Sequence, residues 1–150
     1  MAETPTKSKG GGSLVNKGIM AGLLGGVVWL AVMTGFDLYT AKPFTHTPKT
    51  MVILLGVTKD TLGIGLPYAF GVGGTLLLFI ILGVVYGFLS SLLPVEVSVV
   101  LGFIFGGVVC YFVFFSFFHD LPANINRLSH DGIIVANLAV GVALGLKLHK

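Results

Sequence analysis

The sequence predicts an all-α, polytopic membrane protein of four transmembrane helices, with a short interfacial helix between the first and the second. Three observations predict it. Of the 150 residues, 55% are hydrophobic and only 10% are charged. The mean hydropathy of +0.98 lies outside the range of a soluble domain. The six acidic and nine basic side chains leave uncharged runs over 18–36, 61–95, 97–118 and 132–146, against the roughly 20 apolar residues that a spanning helix requires. Three runs meet that length outright. The fourth meets it when Lys147 and Lys150 keep their stems in the apolar layer and extend their charged tips to the interface.

Residues 1–17 contain Lys7, Lys9, Lys17 and the run Gly10-Gly11-Gly12-Ser13, and almost nothing able to form a core, so they read as a flexible N-terminal tail. Residues 18–150 form the four-helix transmembrane domain. The first apolar run is too long for the core of a secretory signal and no small-residue cleavage site follows it, so it is expected to remain as an uncleaved anchor.

The connection after the first span is roughly thirty residues long, more than a turn needs. Within it Thr47-Pro48 reads as a helix cap and first helical residue, 51–55 is apolar, and Gly56 suits a helix end. A short helix lying on the outer membrane surface, or dipping partly into it, is the expectation. The second apolar run exceeds one helix. Pro67, tolerated in a first turn, sets its start, which places the second span over 67–92. Pro94 and Glu96 then make a tight turn into the third span, so the second and third spans are antiparallel neighbours.

Helices in lipid associate through close backbone approach, because lipid tails are as apolar as leucine. Small residues four apart permit that approach on every span: Gly18, Gly22 and Gly26 on the first; Gly83, Gly87 and Ser91 on the second; Ser98, Gly102, Gly106 and Cys110 on the third; Gly141 and Gly145 on the fourth, preceded on the same stripe by Asn137. These stripes serve packing within one chain or against a partner subunit or second copy. Asn137 is the one amide deep in a span. An unpaired amide is costly in hydrocarbon, so it is expected to make an interhelical hydrogen bond.

Polar residues with chemical potential gather at the end opposite the termini. Phe118-His119-Asp120 closes the third span and His130-Asp131-Gly132 opens the fourth, while Asp37, His46 and Asp60 belong to the same side. Imidazole and carboxylate together suit a divalent metal, so His119, His130, Asp120 and Asp131 are candidate metal ligands, or neighbours of a haem or quinone headgroup. Their other reading is capping and interface anchoring, with Asp131 complementing the positive start of its helix. No nucleophile elbow, zincin, phosphate-loop or paired-cysteine motif is present, so an enzyme is not expected and no cofactor is named. The single Cys110 excludes an intramolecular disulfide. Nine basic residues spread this thinly make no nucleic-acid footprint.

The tract Gly18-Ile-Met-Ala-Gly-Leu-Leu-Gly-Gly, the later Lys42-Pro43 and Thr47-Pro48, and three further spans resemble the small four-helix inner-membrane proteins of the YagU-like kind. The resemblance covers the hydropathy layout of most of the chain and carries over no functional residue. It implies a bacterial inner (cytoplasmic) membrane. Basic residues number five on the side of the termini (Lys7, Lys9, Lys17, Lys147, Lys150) and four on the other (Lys42, Lys49, Lys59, Arg127), which favours cytoplasmic termini.

Two functional classes follow. One is a non-enzymatic structural or accessory subunit, with the bilayer and other membrane subunits or copies of itself as partners. The other is a redox or transport component that uses the outer His/Asp cluster to bind metal, haem or quinone.

Overall fold

A computed structural model describes residues 10–54, 66–92, 94–112 and 128–148. The described residues are all-α. Helix α1 runs over Gly10–Tyr39, α2 over His46–Leu54, α3 over Leu66–Ser91, α4 over Val95–Ile104 and α5 over His130–Leu148. Two of the four expected spans are long and apolar enough to cross a membrane, Leu14–Tyr39 and Leu66–Ser91, and Asp131–Leu146 is a shorter apolar helix.

The third expected span departs from regularity for a local reason. At Phe105–Cys110 α4 passes into a π-helical turn, centred on the adjacent Gly106 and Gly107, where two missing side chains let the hydrogen-bond register slip. Residues 113–118 of that run lie outside the described residues, as does Gly56. Helix α1 begins at Gly10, ahead of the first apolar run.

Helix α3 starts as proline chemistry requires, with Pro67 in its first turn. At its other end Leu92 N–H donates to the Leu89 carbonyl at 3.2 Å, and Pro94, extended at φ −59° and ψ 145°, caps α4. The rings of Tyr86 and Phe105 then meet at 5.2 Å across the two helices.

Glycine sets the helix pairing. A Cβ on Gly18 would stand 2.8 Å from Val84 Cα, and one on Gly83 would stand 2.5 Å from Gly22 Cα. Gly26 faces Leu76 and Phe79, so α1 and α3 run antiparallel with their backbones nearly touching. On the other side of the fold, a Cβ on Gly102 would lie 2.5 Å from the Gly141 carbonyl, and Gly106 meets Asn137 and Gly141. Helix α1 also packs on α5, where Gly25 faces Val140 and Leu144, and Gly132 faces Phe36. The described stripes on α1, α3, α4 and α5 are thus used within one chain. Between them lie Trp29, Met33, Phe79, Tyr86, Val140 and Leu144, all fully buried. Large apolar side chains such as Val27, Leu77, Ile81, Phe88, Phe103 and Leu146 face outward.

Candidate functional site: a buried polar clasp at the corner of α1 and α2

The end of α1 is closed by hydrogen bonds that a helix normally makes with glycine. Ala41 N–H donates to the Leu38 carbonyl at 3.1 Å and Lys42 N–H to the Asp37 carbonyl at 2.7 Å. This is the paired arrangement of a Schellman ending, and it puts Ala41 at φ 56°. The chain reverses there, and Pro43 prevents the helix from resuming.

The reversal brings α2 back against Asp37. The Asp37 side chain is 1% exposed, and isolated burial of a carboxylate is costly, so its oxygens must find donors. Oδ2 accepts from the Thr47 backbone N–H at 2.9 Å and from the Thr47 hydroxyl at 2.6 Å. Oδ1 lies 3.1 Å from His46 Nδ1, and since a carboxylate offers only acceptors, Nδ1 is the nitrogen that carries hydrogen. The His46 side chain is 21% exposed. An acidic group from outside the helix therefore occupies the positive start of α2, where free N–H groups and the helix dipole favour an anion.

This geometry corrects the expected boundary. Lys49 N–H donates to the Thr45 carbonyl at 3.1 Å, which makes Thr45 the residue before the helix and places Pro48 third in it. A proline there forfeits only an N–H that has no partner in the helix anyway. Helix α2 is embedded more than an interfacial helix would be. Thr47, Pro48, Thr50, Met51 and Val52 are buried, and among the described side chains of α2 only Lys49 is exposed. Thr50 returns its hydroxyl to the His46 carbonyl at 2.9 Å. Against α3, the Pro48 carbonyl fills the space where a Gly71 side chain would stand.

A second buried polar contact lies deeper, between α1 and α5. Trp29 Nε1–H donates to Asn137 Oδ1 at 3.0 Å, the interhelical bond expected of that amide. The Asn137 side chain is 1% exposed, and its Nδ2 has no hydrogen-bond partner among the described residues.

Of the four candidate metal ligands, His119 and Asp120 lie outside the described residues. His130 is the first residue of α5, and Asp131 is exposed in its first turn. Ser129 caps that helix, its hydroxyl accepting the Gly132 N–H at 3.2 Å and its carbonyl the Ile133 N–H at 3.0 Å. Since Gly132 rests against Phe36, the start of α5 and the Asp37 corner share one end of the fold. Among the described residues no three His, Cys, Asp or Glu side chains gather closely enough to hold a metal.

Sequence reasoning placed Asp37 and His46 on one side but did not pair them, and it treated Thr47 as a cap rather than a donor to Asp37. Trp29 was missed. Its signal was available, since it is the only tryptophan and lies within a span, where an indole N–H needs an acceptor as much as an amide does. No family model, no curated protein and no solved structure matches the chain.

Proposed function

We propose that this chain is a four-span integral membrane protein acting as a non-enzymatic structural or accessory subunit, packed with other membrane subunits or with copies of itself. The observation that carries the reading is the division of surfaces: glycine brings backbones together inside, while large apolar side chains point outward all along α1, α3 and α4. In water such a surface is an aggregation liability; in a bilayer it is solvated. The location proposed is a bacterial inner membrane with cytoplasmic termini. The test is whether the chain fractionates with membranes through alkaline carbonate washing and, when solubilised and crosslinked, migrates above monomer size. Release by carbonate would sink the membrane reading; a strictly monomeric state with no co-purifying subunit would sink the accessory role.

The 3.1 Å pairing of His46 with Asp37 favours a second reading, in which this end of the molecule binds a ligand. An imidazole oriented by a carboxylate is the usual arrangement of a metal-ligating histidine, and His119, His130, Asp120 and Asp131 remain the proposed additional donors. Metal analysis and a visible absorption spectrum of purified protein discriminate the readings. A stoichiometric metal or haem that disappears in the His119→Ala/His130→Ala double variant, with helical content intact, establishes the second. A colourless, metal-free preparation favours the first.

A further inference from the structure

Around the clasp, the outer surface of the same corner has a composition of its own. Tyr39 is 87% exposed at the end of α1, Phe44 is 58% exposed in the turn, and Tyr68 is 40% exposed in the first turn of α3. Phe44 and Tyr68 meet edge to face, their centroids 6.4 Å apart at 73°. Lys49, the only exposed residue of α2 through Val52, projects from the same corner. Two tyrosine rings with polar tips and a phenylalanine between them, flanked by lysine and set at the ends of long apolar helices, match the layer between hydrocarbon and water.

The spacing along α3 agrees with that placement. From Tyr68 to Ser90, near the other end of the helix, is about 33 Å of helix at the standard rise. A tilt of roughly 20° reduces this to about the 30 Å thickness of a hydrocarbon layer. Between those two positions α3 carries no charged residue. The pairing of Gly26 with Leu76 sets Thr34 level with Tyr68, so Tyr39 stands about 7 Å further out along α1. Tyr68 and Phe44, whose ring meets it, thus fall at the hydrocarbon edge, and Tyr39 falls beyond it.

We infer that this corner docks into the headgroup layer of a phospholipid leaflet, with Tyr39, Phe44 and Tyr68 as anchors and Lys49 facing the phosphates. The Asp37–His46–Thr47 clasp then lies at headgroup depth behind the anchors. The embedded face of α2 is held by protein rather than lipid, and its N-terminal turn needs no lipid contact to satisfy its polar groups. This inference rests on the membrane-spanning reading above.

Spin labels at Tyr39→Cys, Phe44→Cys and Leu77→Cys, in a Cys110→Ala background, test it in the full chain reconstituted into phosphatidylcholine/phosphatidylglycerol vesicles. Collision with oxygen reports the hydrocarbon, and collision with a water-soluble nickel chelate reports water. All three positions are outward-facing, and unchanged helicity and native size verify each variant. The label at Leu77 is expected to be oxygen-dominated, and the oxygen-to-nickel ratio is expected to fall several-fold at Tyr39 and Phe44 without reaching the value of the free spin label in buffer. Nickel access at Tyr39 and Phe44 equal to that of the free label overturns the inference, as does oxygen access equal to Leu77. Nickel access at Leu77 itself overturns the spanning reading and the inference with it.

Discussion

Ala41 occupies a backbone conformation that costs a residue with a Cβ about 1–2 kcal/mol, and the backbone hydrogen bonds from Ala41 and Lys42 close α1 whether or not residue 41 has a side chain. Ala41→Gly is therefore expected to stabilise the fold by about 1 kcal/mol. Thermal unfolding in detergent measures it, and an unchanged or lowered midpoint contradicts the strain. The buried Trp29–Asn137 bond calls for a coupling measurement, because each group deleted alone removes a buried partner of the other. A double-mutant cycle with Trp29→Phe and Asn137→Ala is expected to give a coupling near 0.6 kcal/mol, the average for hydrogen bonds within a membrane. A coupling of zero means the contact is incidental. At this scale the sequence revealed a need but not its solution. Asn137 is the only amide in an apolar run and so demanded a partner, yet the partner lies 108 residues away on a helix whose rotation only packing decides. Asp37 sits ten residues from Thr47, and the pairing hinges on a left-handed alanine that no turn signal announces.

Helix pairing rests on glycines of two kinds, and substitution separates them. Gly102→Leu or Gly106→Leu forces α4 away from α5 and is expected to cost about 3 kcal/mol or more, well above Leu101→Phe, whose side chain is only partly buried. Gly35 has nothing within 4 Å of a would-be Cβ, so Gly35→Ala is expected to stabilise α1 by up to about 1 kcal/mol through helix propensity alone. Native-size measurement and thermal unfolding of the four variants decide. Equal behaviour of the Gly102 and Leu101 variants would falsify the close approach. The stripes were legible because lipid-embedded helices have few other ways to associate, and four-residue spacing marks one face. The π-helical turn was not: 97–118 is uncharged and contains no proline, and Gly106 in its Gly106-Gly107 pair reads there as a packing residue. The start of α2 was misplaced for the opposite reason. Thr47-Pro48 imitates a helix start, while the group that does cap the helix comes from α1.

At the scale of the molecule, hydropathy disclosed the helical class and the two longest apolar helices, since solvent chemistry is written in composition. It disclosed less about the corner, whose burial depends on how α2 turns back. On the proposed four-span reading both termini share one side, and the surplus of terminal lysine favours the cytoplasm for that side. Reporter fusions at Lys150 and within 42–59 are expected to give cytoplasmic and external signals respectively. Termini on opposite faces eliminate the four-span arrangement.

The two buried polar contacts also differ in when they can form during synthesis. The clasp joins residues ten apart, so it is available as soon as α2 emerges. The Trp29 indole meets Asn137 only once α5 has been made, and until then it faces lipid or a half-built interior. Chains stopped before α5 should therefore be distinguishable from chains that contain it. A chain ending at residue 127 keeps α1 to α4 and the clasp but leaves the Trp29 indole without Asn137, and it is expected to be removed by membrane proteases faster than the full chain. Trp29→Phe in the same truncation, which has no indole N–H to present, is expected to regain part of that lifetime in a pulse-chase measurement, and equal decay of the two truncated forms would rule out the indole as the mark of incompleteness.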